Sequence, residues 1–319
     1  MRGMHFSLVK MNPEGTPPSH GFDDAILPLY YALRHLGYQA EILFNRVNPA
    51  SRNIVFGSRI APRRIGRRLP ASSIIFNLEQ LNRDSKWCNK DYLAHLGDFQ
   101  VWDYSLENIR FLAELGIAGA AHVPIGYVPE MTRLRPGYPE DVDLVFYGLI
   151  TQRRDALIRR LVSDGIRVLA SQEAFGDLRD KLLAHSRLVL NIHQFLPARL
   201  EVVRLGYVWA NKKPVLSEWR EDSGMPDHLR EACFFAEYAD IPEAAARLLQ
   251  DRPRLDRQAE KGFQAFASKP MSESLRRVVG KRNHAQPPAV RKESALPLRP
   301  YHARPVREWL IQAETRQGL

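Results

Sequence analysis

The sequence predicts an α/β protein made of two tandem doubly wound, Rossmann-like units facing across a cleft, followed by a Pro-rich basic tail. Three observations predict it. Short apolar runs alternate with segments of helical period, which implies parallel strand pairing with helices on both faces. The alternation restarts after a Pro-, Gly- and Arg-rich stretch near the middle of the chain. A length of 319 residues suits about two domains of roughly 150 residues each.

In the first half, His5–Val9 reads as a strand, then comes a loop with Pro13, Gly15, Pro17 and Pro18. Phe22–Leu36 has helical spacing, with Ile26, Leu29, Tyr30 and Leu33 on one side. Further strands are expected at Gln39–Leu43, Asn53–Phe56, Ser73–Phe76, Phe99–Trp102 and Ala120–Val123, with a helix over Ser105–Leu115. Pro124–Glu140 reads as the connection. Beyond it, strands are expected at Asp143–Tyr147, Arg167–Ala170, Arg187–Ile192, Pro214–Ser217 and Cys233–Ala236. Between and after them, helices are expected at Gln152–Val162, Gly176–Ala184, Ala198–Ala210 and from Pro242 to about Ser268. The implied division is a first domain over 1–128, a connection over 129–140, a second domain over 141–280 and a tail over 281–319. In that tail the prolines oppose a continuous helix, and Val306–Thr315 is the one short helical candidate.

Composition narrows the function. A hydrophobic fraction of 45% and a charged fraction of 26% are ordinary for a globular chain. No apolar run reaches the ~18 residues of a membrane helix; Leu115–Val128 is broken by His122 and Pro124. Met1–Lys10 reads as a strand rather than a secretory leader. Two cysteines, Cys88 and Cys233, are too few for a disulfide framework or a zinc site, so a cytoplasmic location is expected. The formal charge is +10, and half of that excess falls in residues 281–319. The two main bodies are therefore only mildly basic, unlike a dedicated nucleic-acid binder.

Open parallel sheets bind ligands beyond the carboxyl ends of their strands. Polar residues gather there in this sequence. Lys10 and Asn12, Glu79 and Gln80, and Asp103 and Ser105 follow strands of the first half. Gly148, Asn191 with His193, and Ser217 with Glu218 do so in the second. The segment Tyr147-Gly148-Leu149-Ile150-Thr151-Gln152-Arg153-Arg154 is the sharpest feature. Gly148 permits a tight turn, Thr151 can cap the helix, and Arg153 and Arg154 fall in its first turn, where cations oppose the dipole unless an anion offsets them. Exposed amides with arginine suit a phosphate. The helix ending at Ala210 is apolar nearly all round except for Glu201 and Arg204; the pair reads either as an intrahelical ion pair or as a carboxylate for ribose or sugar hydroxyls, oriented by arginine.

The order Gly148…Arg153-Arg154, Asn191-Ile192-His193, Glu201-x-x-Arg204 and Ala210-Asn211-Lys212-Lys213-Pro214-Val215-Leu216-Ser217-Glu218 resembles the donor half of GT-B glycosyltransferases. It looks most like the group-1, CgeB-like branch found in bacterial polysaccharide and glycoconjugate clusters. Phe76-Asn77-Leu78-Glu79-Gln80, Val101-Trp102-Asp103-Tyr104-Ser105 and Val123-Pro124-Ile125-Gly126-Tyr127 resemble it too. The sequence departs from the broader retaining families at Tyr207, where a glutamate stands seven residues before the proline, and at Lys212, which replaces a glycine.

The resemblance implies a nucleotide-sugar donor held by the second domain through Gly148, Arg153, Arg154, Asn191, His193, Glu201, Arg204, Ser217 and Glu218, and a glycan, lipid-linked or protein acceptor held by the first. It implies no essential metal and no other cofactor. An inverting reaction would take its base from Glu79, His20 or Asp23, with Glu79 favoured because it directly follows a strand. Asp141-Val142-Asp143 precedes its strand, at the wrong end of the sheet for a metal site. The cluster Arg59, Arg63, Arg64, Arg67 and Arg68, interleaved with Ile60, Ile65 and Leu69, reads either as a solvated loop or as a contact with anionic lipid at the inner membrane face. A catalytically silent sugar-nucleotide-binding partner and a polyanion-binding protein are the competing readings; no nucleic-acid partner is expected.

Overall fold

The computed structural model describes residues 4–12, 20–60, 62–83, 85, 88–135, 137–194, 201–221 and 226–279. The expected tail and its short helix lie outside the described residues. The chain forms two compact units.

The first unit contains a six-stranded parallel sheet of β1 (His5–Lys10), β2 (Gln39–Phe44), β3 (Arg52–Phe56), β4 (Ile74–Asn77), β5 (Gln100–Asp103) and β6 (Ala121–His122), in the order β2-β1-β3-β4-β5-β6. Phe6, Leu8 and Val9 of β1 and Ile54, Val55 and Phe56 of β3 are fully buried. Burial of successive residues means both faces are covered, as a parallel sheet requires. Helix α1 (Asp23–His35) buries Ala25, Ile26, Leu29, Ala32 and Leu33 and starts with Asp23 and Asp24, which complement its positive end. Helix α2 (Pro62–Gly66) and helix α3 (Lys90–Asp98) are additions to the sequence expectation. The first is one turn long with a single buried apolar residue, Ile65, so it has no readable period. The second is set by its cap, since the Asn89 side chain accepts from the Tyr92 amide at 3.0 Å. Helix α4 (Leu106–Glu114) is capped likewise by Ser105.

The second unit carries a five-stranded parallel sheet of β7 (Val142–Tyr147), β8 (Val168–Ser171), β9 (Ser186–Asn191), β10 (Val215–Glu218) and β11 (Phe234–Ala236), in the order β11-β10-β9-β7-β8. Its helices are α5 (Gln152–Ser163), α6 (Gly176–His185), α7 (Val202–Ala210), α8 (Ile241–Leu249) and α9 (Arg252–Ala267). Leu144, Phe146, Leu157, Leu161, Leu188, Leu190, Leu216, Ile241 and Leu248 join the sheet to α5 and α8 in one core. The chain leaves β7 toward β8 on one side and returns to β9 on the other. The carboxyl ends of β7 and β9 therefore flank the point where strand order reverses, the place where such sheets leave a crevice.

Two boundaries differ from the sequence expectation. Residues 271–279, expected inside the second domain with no helix assigned to them, form helix α10 (Met271–Val279), which belongs to the first unit and packs on α1. Met271, Leu275, Val278 and Val279 form its buried stripe, and the Met271 amide donates to the Tyr127 carbonyl at 2.9 Å. The stretch from Pro129, expected as a free connection, belongs to the second unit. Asn211 holds it there: its side-chain oxygen accepts from the amides of Arg133 and Leu134 at 2.7 and 2.9 Å, and its nitrogen donates to the Met131 and Tyr207 carbonyls at 2.8 Å each.

Candidate functional site

Three strands run one residue further than the sequence predicts, so that Asn77 closes β4, Asp103 closes β5 and Glu218 closes β10, whereas β9 ends one residue earlier than predicted, at Asn191. A side chain at such a position is held by its strand and points from the ligand-binding end.

In the second unit these ends converge. Gly148 follows β7 with φ +129°, a conformation L side chains rarely adopt, and its amide donates to the Ser171 carbonyl. A Cβ added there would lie 3.6 Å from Nη1 of Arg204 and 3.9 Å from Nη1 of Arg154. The absent side chain thus leaves the backbone open beside two guanidiniums. Thr151 caps α5, accepting from the Arg154 amide at 3.4 Å.

The two arginines of that first turn part company. Arg154 is 2% exposed. Its Nε and Nη2 donate to the Ile192 carbonyl at 2.9 and 2.5 Å, its Nη1 to the Leu149 carbonyl at 2.9 Å, and its Nη2 also to Glu201 at 2.6 Å. Burial lowers its pKa. It is a clip between the β7–α5 turn and the end of β9, not the free phosphate ligand its position in the sequence suggests. Arg153 is more accessible. Its guanidinium makes a two-pronged pair with Glu218, donates to the His193 carbonyl at 3.2 Å and sits 3.9 Å over the Tyr238 ring, whose hydroxyl donates back to the Arg153 carbonyl.

Arg204, in the first turn of α7, reaches back to the sheet. It donates to the Tyr147 carbonyl at 2.5 Å and to Asn191, and pairs with Glu201 at 2.9 Å. Asn191 in turn donates to Ser217 at 2.8 Å. Glu201 stands between two arginines. Burial alone would raise its carboxyl, but Arg204 and Arg154 outweigh that and hold it below the usual range. His193 is buried beside Glu218, which accepts from its backbone amide at 3.0 Å, and burial pushes its imidazole down. All nine donor-side residues expected from sequence therefore belong to one connected cluster. The formal balance is three guanidiniums against two carboxylates, an excess of positive charge suited to an anion. Tyr238, the platform under Arg153, gives no signal in the sequence because it reaches the site from the short turn Tyr238–Asp240 that precedes α8.

The first-unit candidates form two groups. Asp23 accepts from Lys10 at 2.6 Å, and His20 Nδ1 faces its other oxygen at 3.3 Å. Glu79 is paired with Arg59. The backbone of Glu79 is clamped, with its amide donating to Asn77 at 3.1 Å and its carbonyl accepting from Asn108 at 2.8 Å. Both asparagines are fixed by fully buried Asp103, at 2.6 Å from Asn77 and 3.0 Å from Asn108. Of the arginine run, Arg63 pairs with Asp91 at 2.6 Å, whereas Ile65 and Leu69 are in the core with Tyr92 and Leu96. Those apolar residues are therefore closed to a membrane surface, contrary to the interleaved reading. At the other end of β7, Asp143 pairs with Arg167 and Arg187, and Asp141 with His185. No helix among the described residues is long and apolar enough to cross a membrane.

No protein-family model matches the chain. Two uncharacterized proteins of Acanthamoeba polyphaga mimivirus are similar, at 31% identity over 128 residues and 30% over 131. The first match covers 38% of this chain and 40% of that protein, the second 39% and 17%. Solved structures match over far more of the chain. WaaG, a glycosyltransferase involved in lipopolysaccharide biosynthesis, superposes with a TM-score of 0.58 at 11% identity, over 87% of this chain and 100% of its own. Anabaena HepE in complex with UDP-glucose gives 0.58 at 10%, over 86% and 99%. AviGT4, a glycosyltransferase involved in avilamycin A biosynthesis, gives 0.52 at 16%, over 87% and 99%. With two parallel sheets and this extent of superposition, the chain has the GT-B fold of the glycosyltransferases.

Proposed function

We propose that this protein is a glycosyltransferase that moves a sugar from a nucleotide-sugar donor to a glycan, lipid-linked or protein acceptor. The observation that carries the reading is the open backbone at Gly148 beside the Arg204 and Arg154 guanidiniums, at the strand-order reversal of the second unit. A diphosphate accepts hydrogen bonds from the start of α5 and from Arg153 and Arg204, and these donors stabilise the charge that develops on the departing nucleoside diphosphate. With guanidiniums doing this, the reaction needs no metal. That HepE was solved with UDP-glucose supports the donor class.

For an inverting reaction the acceptor hydroxyl needs a base. His20 fits that role better than Glu79. Its Nδ1 faces Asp23, which Lys10 fixes in turn, so a carboxylate orients the ring. Glu79 is engaged by Arg59 instead. We extend the proposal to a cytoplasmic reaction, with Arg63, Arg64, Arg67 and Arg68, all exposed, as an electrostatic contact for anionic lipid headgroups.

The test is release of nucleoside diphosphate from a panel of UDP-, GDP-, ADP- and dTDP-hexoses, with and without a chelator. Turnover of at least one donor, unchanged by the chelator, is expected. Binding without turnover would favour a silent sugar-nucleotide module, and no binding at all would overturn the reading.

A further inference from the structure

Among the described residues of the cluster, His193 has a side chain that makes no hydrogen bond. It is 1% exposed, yet neither Nδ1 nor Nε2 has a hydrogen-bond partner among the described residues. Its surroundings are tied down. The backbone amide is held by Glu218 and the carbonyl by Arg153, so the ring hangs from a fixed point at the end of β9. Glu218 is committed to Arg153, and Glu201 to Arg154 and Arg204. Buried polar atoms are nearly always paired, and an unpaired one is costly to fold around, so the missing partner is expected from outside the polypeptide.

Resting on the donor-site reading above, we propose that His193 reads a ring hydroxyl of the nucleotide sugar, on the ribose or on the transferred sugar. The chemistry of the ring selects that partner. Burial and the neighbouring guanidiniums of Arg153 and Arg154 oppose its protonation, against the pull of Glu218 and Glu201. A neutral imidazole offers one N–H and one lone pair. A diphosphate only accepts, so it leaves the lone pair unmatched. A hydroxyl both donates and accepts, and two adjacent hydroxyls on one ring satisfy both nitrogens.

The experiment compares the intact chain with His193→Phe, which keeps a ring but no polar atom, and His193→Asn, which keeps one donor and one acceptor. Calorimetry uses the nucleotide-sugar panel, the matching free nucleoside diphosphates and inorganic pyrophosphate. For the donor that the intact chain binds, His193→Phe is expected to lose about tenfold in affinity, the equivalent of one lost hydrogen bond. His193→Asn recovers part of it. A loss confined to the nucleotide sugar assigns the transferred sugar; an equal loss for the free nucleoside diphosphate assigns the ribose. Pyrophosphate affinity is expected to stay unchanged. Without ligand, His193→Phe is expected to melt no lower than the parent, because it removes unpaired nitrogens. Unchanged donor affinity in folded His193→Phe, an equal loss for pyrophosphate, or a large drop in melting temperature for both variants would each overturn the assignment. Failure of the intact chain to bind any of the panel would overturn the donor reading itself, and this inference with it.

Discussion

Arg154 and Glu201 lie 47 positions apart in sequence and meet at 2.6 Å, and Glu201 passes the contact on to Arg204 at 2.9 Å. This guanidinium–carboxylate–guanidinium bridge ties the turn after β7 to the start of α7. Removing its centre leaves two arginines facing each other, one of them 2% exposed. Glu201→Ala is therefore expected to destabilise the protein by about 3 kcal/mol, as a broken buried pair does. Urea denaturation checks it; a change below about 1 kcal/mol would mean that the bridge is not structural.

Arg153 and Glu218 allow stability and binding to be separated. Glu218 is 3% exposed, so Arg153→Ala strands a buried carboxylate and is expected to cost about 2 kcal/mol. Adding Glu218→Gln removes that charge and is expected to restore most of the melting temperature. Nucleotide-sugar affinity is expected to stay low in both the single and the double variant. Recovery of affinity along with stability would remove Arg153 from the donor site.

At Gly148 two effects act together. Alanine there has to adopt φ +129° and places its methyl beside Arg204. Gly148→Ala is expected to cost roughly 1–3 kcal/mol in strain and to weaken donor binding at least tenfold by closing the approach to the backbone. Calorimetry on the folded variant would show unchanged affinity if the turn played no part.

His95 gives the first unit an acid sensitivity. Burial pushes its imidazole down to about 4, from an ordinary value near 6.5. The unfolded chain therefore binds the proton more readily than the folded one. The stability this neutral ring contributes is fully present above pH 6.5 and is lost as the pH falls toward 4, by about 3 kcal/mol in all. His95→Leu is expected to flatten the pH dependence of the melting temperature between pH 7.5 and 4.5. An unchanged slope would locate the acid sensitivity elsewhere.

Much of this site is written locally in the sequence. Gly148, Asn191, Ser217 and Glu218 could be placed because parallel strands are recognisable apolar runs and their carboxyl ends follow from chain direction alone. What separates Arg153 from Arg154 could not. Neighbours on a helix point about 100° apart, so one of the two turns inward, but which one depends on where Ile192 and Glu201 arrive from the rest of the chain. The same holds for α10, whose buried stripe of Met271, Leu275 and Val278 is equally compatible with either unit. Only its contact with α1 decides. His95 and Ile65 sit in short helices, too brief for a period to show which residues face the core.

The most direct measurement is diffraction from crystals grown with the best-binding nucleotide sugar of the panel. The expected result is diphosphate density against the Gly148 turn, within hydrogen-bond reach of Arg153 and Arg204. Density for the nucleotide away from the ends of β7, β9 and β10, with that turn left bare at saturating ligand, would contradict it.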